Sequence, residues 1–164
     1  MSAYIEVINR IKKNFSKDWL TPSQMQAFEE LKTFLSPPHR VINIFGEKGA
    51  GKTFLGWILQ KEGLGSYIPS YEDLVENQRS IILDNYSNRR KLVRRIRNDL
   101  EMKNIENIII LTKHAAEDDI PCIGVGLTED DIKLARANLY RVDIKVTDNS
   151  ITNMWELIKN AEVK

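Results

Sequence analysis

The chain has 164 residues, 42% hydrophobic and 29% charged, with a formal net charge of +1. These values fit one globular domain with its own core and exclude a protein that binds nucleic acid through its total charge. One cysteine, Cys122, and two histidines leave no disulfide framework and no ordinary zinc site.

No apolar run approaches the roughly 20 residues of a membrane span, and the N-terminus has no signal-peptide pattern, so a cytoplasmic protein without a membrane contact is expected. Ser2 to Phe15 reads as a helix with Ile5, Ile8 and Ile11 on one face. A second helix starts at Thr21, which caps it, with Pro22 in the first turn. Its apolar stripe is Met25, Phe28, Leu31 and Leu35, and Ser36-Pro37-Pro38 ends it. The period then changes. Val41 to Phe45 is short, branched and mostly apolar, the pattern of a buried strand. Gly46 to Gly51 is a glycine loop, and Lys52 to Lys61 a helix broken by Gly63-Leu64-Gly65.

Tyr67-Ile68 reads as a short strand and 71–78 as a weak helix. Ser80 to Asp84 is a second strong strand with an acid at its carboxyl end. The segment 89–103 is a helix that turns Leu92, Val93, Ile96 and Leu100 inward. Asn107 to Thr112 is the third strong strand, and Pro121 to Leu127 has room for a further short one. Thr128 caps a helix whose first turn holds Glu129, Asp130 and Asp131 and which runs to about Tyr140. The segment 142–146 alternates as an edge strand, and 150–161 reads as the last helix. Trp19, Trp57 and Trp155 read as packing residues. Strands alternating with helices predict an α/β fold with a parallel sheet.

Gly46-Glu47-Lys48-Gly49-Ala50-Gly51-Lys52-Thr53 matches G-x-x-x-x-G-K-T without departure, with a strand before it and a helix after it. A phosphate chain needs many donors close together and no side chains in the way. Glycines let the backbone curl its N–H groups around the anion, and the helix start adds its dipole. Lys52 supplies a mobile charge for the terminal phosphates, and Thr53 a hydroxyl for Mg²⁺. Nucleotide contact is expected over Gly46, Glu47, Lys48, Gly49, Ala50, Gly51, Lys52, Thr53 and Phe54.

Asp84 ends an apolar strand at the edge where ligands bind in open α/β sheets, so it is the second expected ligand of Mg²⁺. Its neighbour Asn85 orients a water but cannot take its proton, which predicts slow hydrolysis unless Glu47, Asp73 or Glu117 enters the site. Thr112 either senses the terminal phosphate from a strand lying between the other two or simply closes its strand. The catalytic set is therefore Lys52, Asp84, Asn85 and Thr112.

From Thr21 to about Lys133 the chain resembles the core of AAA+ ATPases, a class of P-loop NTPases, nearest the replication-initiator clade and its small regulatory relatives. The loop followed by Phe54-Leu55, the strand Ile81-Ile82-Leu83-Asp84-Asn85, and Ile109-Ile110-Leu111-Thr112 with Leu127-Thr128-Glu129-Asp130-Asp131 carry the likeness. It implies ATP, Mg²⁺, a three-layer sandwich around a central parallel sheet of about five strands, and a division into N-terminal helices (1–38), a nucleotide-binding core (39–127) and a reduced C-terminal lid or extension (128–164). Arg136 and Arg141 are then the lid-sensor candidates. The interval 113–127, where such ATPases carry an arginine finger, has none; it holds Glu117, Asp118 and Asp119. Heteromeric assembly is therefore expected in preference to an autonomous homohexamer.

The segment 86–103 has a local net charge of +5 in a chain of +1. Arg90, Arg94 and Arg97 share a helix face that reads as solvated surface, as a dock for a protein partner, or as a track for a nucleic-acid backbone. Three functions follow: a regulatory ATPase that switches partner binding, a small-molecule or nucleoside kinase with the 89–97 arginines as a clamp, and a nucleotide-binding module without turnover.

Overall fold

The computed structural model describes residues 2–36, 40–84, 89–117 and 119–164. Asn85, Asp118 and the Pro37-Pro38 helix stop lie outside the described residues.

Five strands form one sheet in the order β2-β3-β4-β1-β5, and every neighbouring pair is parallel. They are β1 (Arg40–Phe45), β2 (Ser66–Ile68), β3 (Ser80–Leu83), β4 (Asn107–Thr112) and β5 (Cys122–Gly124). Side chains alternate across a strand, and here both faces are apolar. Ile42, Ile44, Ile82, Ile109 and Leu111 meet helices α2 (Pro22–Phe34) and α3 (Lys52–Lys61) on one side. Val41, Ile81, Leu83, Ile108 and Ile110 meet α4 (Arg90–Met102) on the other. The result is a helix–sheet–helix sandwich of the α/β class.

β4 lies between β1 and β3, with Phe45 opposite Thr112 and Leu83 opposite Ile110. The carboxyl ends of the three strongest strands are thus side by side, the edge where open parallel sheets bind ligands.

A third core lies apart from the sheet. Helix α1 (Ala3–Asn14) packs Val7 and Ile11 against α5 (Glu129–Tyr140), α6 (Met154–Lys159) and an antiparallel pair, β6 (Ile144–Val146) with β7 (Ala161–Val163). The inward face of α1 is therefore Val7 and Ile11, spaced four apart; Ile5 is 47% exposed.

Two further expectations change. Of the helix expected over 71–78, only a 3₁₀ turn at Tyr71–Asp73 forms, and Val75 is 61% exposed, so burial of that side chain does not support a longer helix. The expected last helix divides into α6 and the strand β7. Trp155 is 43% exposed and not a core residue, but it meets Tyr4 of α1 edge to face at 5.6 Å. Among the described residues, no helix is long and apolar enough to cross a membrane.

Candidate functional site

The glycine loop leaves β1 at Phe45 and enters α3 at Lys52. Its first amide stays on the sheet, Gly46 N donating to Thr112 O at 3.1 Å. Its end is braced from α2, where the Gln24 amide donates to Gly51 O at 3.1 Å. A third tie comes from α6, whose Met154 N donates to Gly49 O at 2.8 Å. The loop is thereby gripped by the sheet, by the second helix and by the C-terminal elements.

Lys52 folds back over the loop and donates to Gly46 O and, at 2.9 Å, to Glu47 O. Burial holds its pKa below the ordinary lysine value; Asp84 opposes that shift, and Lys113 adds to it. Asp84, one residue beyond β3, accepts from Thr53 Oγ1 at 2.7 Å through Oδ2. The same oxygen accepts the hydroxyl of Tyr67. Burial, then the Asp84 carboxylate, raise the Tyr67 phenol above its usual range, with Trp57 and Thr53 easing it. Tyr67 thus remains a donor.

Thr112 is 7% exposed at the tip of β4. Its hydroxyl accepts from Asn43 Nδ2 at 2.8 Å and donates to His114 O at 2.8 Å. A hydroxyl has one proton, so this one is engaged by the loop after β4. Asn43 is fully buried in the middle of β1 and also accepts from Ala116 N at 2.8 Å. It ties the sheet, Thr112 and the 113–117 backbone together.

Lys52, Thr53, Asp84 and Thr112 border a cavity of about 940 Å³. Lys48, Gly49, Gly51, Lys52, Thr53, Phe54, Asp84, Thr112 and Lys113 line one end, and the first-turn amides of α3, which a helix cannot pair internally, belong to that end. Four lysines (12, 48, 52 and 113) and one carboxylate, Asp84, line it among the described residues. The other end is apolar and aromatic, with Trp19, Phe54 and Trp57 below α1 and Leu139, Leu157 and Ile158 beside them. Phe54 and Trp57 meet edge to face at 6.4 Å, and Lys12 lies 4.9 Å over the Trp57 ring.

Of the residues expected at the site, Gly46, Glu47 and Ala50 do not line the cavity. Gly46 and Glu47 serve through their carbonyls, and Ala50 is buried in the core. Asp73 and Glu117 do not line the cavity. Arg90, Arg94 and Arg97 are exposed on α4 on the far face of the sheet, Arg97 donating to Asp119 O at 2.9 Å. Arg136 is spent on Val146 O and Asp148 O, at 3.0 and 2.8 Å, and Arg141 on Asn138 Oδ1. Neither lines the cavity.

Sequence reasoning missed Tyr67, Gln24, Asn43 and Lys113. For Asn43 a signal existed, a lone amide inside an apolar strand; for Tyr67 none did.

A hydroxyl and a carboxylate within one hydrogen bond are hard oxygen donors of the kind Mg²⁺ takes, one or two at a time, with water and phosphate completing its shell. The lysines and the helix-start amides are groups that suit an anion. No protein-family model matches the chain, and neither curated proteins nor solved structures give a significant match.

Proposed function

We propose that the protein is an AAA+-like P-loop protein that binds ATP with Mg²⁺, hydrolyses it slowly, and uses the bound state to switch association with a partner. The observation that carries this reading is the meeting, at one cavity, of the G-x-x-x-x-G-K-T loop, the Thr53–Asp84 pair and an excess of lysines. The position of β4 between β1 and β3 supports it, since it brings a polar strand tip beside the loop. The triphosphate takes the loop amides and Lys52, whose ammonium leaves the Gly46 and Glu47 carbonyls for phosphate oxygens. Thr53 and Asp84 hold the metal, which neutralises charge on the phosphates. The base enters the aromatic end of the cavity. The C-terminal elements, tied to Gly49 through Met154, act as a reduced lid.

Slow turnover is favoured because Asp84, already the metal's acid, is the one carboxylate lining the cavity among the described residues. The same observation favours a second reading, binding without any turnover. Prolonged incubation with γ-labelled ATP separates the two by phosphate release. The exposed Arg90 and Arg94 face of α4 is the surface we assign to an acidic protein partner in a heteromeric assembly, with nucleic acid as the competing occupant in pull-downs.

Isothermal titration of Lys52→Ala against wild type tests the core of the proposal. The substitution should abolish measurable Mg·ATP binding; an unchanged affinity refutes the assignment.

A further inference from the structure

Asp84 is held by a residue that no motif marks. Tyr67 sits on β2 opposite Ile82 in the parallel register. Side chains alternate along a strand, so residue 84 belongs on the same face of the sheet as Tyr67, one step nearer the carboxyl edge. The phenol spans that step and donates to Asp84 Oδ2. The same oxygen accepts Thr53 Oγ1 at 2.7 Å.

The seat for the ring is cut into α3. Gly56 is buried in the middle of that helix, where glycine is a poor helix former. A Cβ there would lie 3.0 and 3.1 Å from two ring carbons of Tyr67, tighter than side chains normally allow. The backbone of Tyr67 is tied to the same helix, its N–H donating to Gln60 Oε1 at 2.8 Å. The helix that begins in the glycine loop therefore holds Tyr67 at two points, and Tyr67 holds the carboxylate.

We infer that Tyr67 is a positioning residue for the divalent cation, acting through Asp84. A carboxylate oxygen offers about two lone-pair directions, and two hydroxyls use both of those on Oδ2. The pair fixes the rotation of the carboxylate before metal arrives. Thr53 alone is a poor anchor, because its hydroxyl is itself an expected metal ligand and turns when metal binds. Tyr67 has no such second duty, so it keeps Asp84 in place through loading and release. The inference rests on the magnesium–nucleotide reading of the site.

The test is a Mg²⁺ titration of metal-stripped protein holding a fluorescent N-methylanthraniloyl ATP, for wild type, Tyr67→Phe and Gly56→Ala. Tyr67→Phe removes one oxygen and keeps the ring. It should raise the Mg²⁺ needed for half-maximal binding by roughly tenfold. Affinity in EDTA should stay at the wild-type value, and the unfolding midpoint without nucleotide should fall by no more than the loss of one hydrogen bond. Gly56→Ala, which keeps the hydroxyl but pushes the ring aside, should shift the Mg²⁺ requirement in the same direction; it carries the test should Tyr67→Phe fail to fold.

A wild-type Mg²⁺ requirement in both variants, with nucleotide still bound, overturns the role of Tyr67 alone. A lowered unfolding midpoint with an unchanged Mg²⁺ requirement does the same and leaves Tyr67 a packing residue. Failure of wild type to bind the probe with or without Mg²⁺ overturns the nucleotide reading, and this inference with it.

Discussion

The side-chain amide of Gln24 donates to the carbonyl of Gly51 at 3.1 Å while its oxygen accepts the backbone N–H of Thr21 at 3.0 Å. One side chain closes the capping box of α2 and braces the loop that starts α3. Gly51 has φ +88°, and a Cβ there would lie 2.3 Å from the Gln24 nitrogen.

Gly51→Ala meets both obstacles at once, a left-handed backbone and a blocked side chain. It should destabilise the fold by about 1–3 kcal/mol and weaken nucleotide binding more than stability alone explains. Gln24→Ala removes the brace without strain and should lose about 1 kcal/mol. Urea denaturation and nucleotide titration of the two variants check the order.

Asp84→Asn keeps the shape of the side chain and removes its charge. The Mg²⁺-dependent part of nucleotide affinity should disappear, while binding in EDTA persists. A second effect follows from Lys52, whose ammonium is favoured by Asp84 against burial. Without that carboxylate the lysine loses its proton at lower pH, so the alkaline limb of binding should move downward. Titrations across pH in wild type and variant show the shift or its absence.

Asp131 sets an acid limit on stability. It is fully buried and accepts from Ser23 N at 2.9 Å, Ser23 Oγ at 2.6 Å and Thr128 N at 2.7 Å. Burial raises its pKa, but the Ser23 and Thr128 bonds outweigh this and hold it below the ordinary carboxyl value. A depressed folded pKa contributes stability above the unfolded value, near 3.9, and loses it as pH falls through the folded value. Asp131→Asn should be less stable by about 2 kcal/mol at neutral pH and should flatten the loss below about pH 4. Thermal unfolding midpoints from pH 3 to 7 read this directly.

Asn43→Ala should destabilise by about 2–3 kcal/mol, because Ala116 N loses its buried acceptor and a void opens under Thr112. Thr112→Val, which removes one hydroxyl, should lose about 1 kcal/mol. Paired chemical denaturation curves, with the double mutant, measure how far the two act as one unit.

The legible parts of the molecule were those in which local pattern and tertiary role agree. β4 was read at Asn107 to Thr112 and α3 at Lys52 to Lys61, because branched apolar runs and a glycine boundary leave little choice. The Thr21 and Thr128 caps were legible for the same reason. β7 was missed because three residues after a short helix are too few for their alternation to stand out; pairing with β6 makes the strand. On α1, of the isoleucines spaced by three, Ile11 packs inward but Ile5 is exposed, and only the third core selects Val7.

At the candidate site, the loop and Asp84 were visible because they are contiguous in sequence. Tyr67 was not, since its link to Asp84 crosses from one parallel strand to the next. Asp131 read as a dipole partner of its helix; that it also binds Ser23, 108 residues away, is a tertiary fact. The aromatic end of the cavity likewise has no local signature, being assembled from α1, α3 and the C-terminal elements.

The docking of α1 on β6, β7 and α6 has a consequence for synthesis. As a ribosome delivers this chain, α1 emerges well before the surfaces that cover Val7 and Ile11. The sheet and its two flanking layers can assemble in the meantime, but that small apolar stripe waits exposed until residues 144–163 arrive. The helix is also a wall of the cavity through Ile8, Ile11 and Lys12, so the pocket is finished only once those later residues have been made.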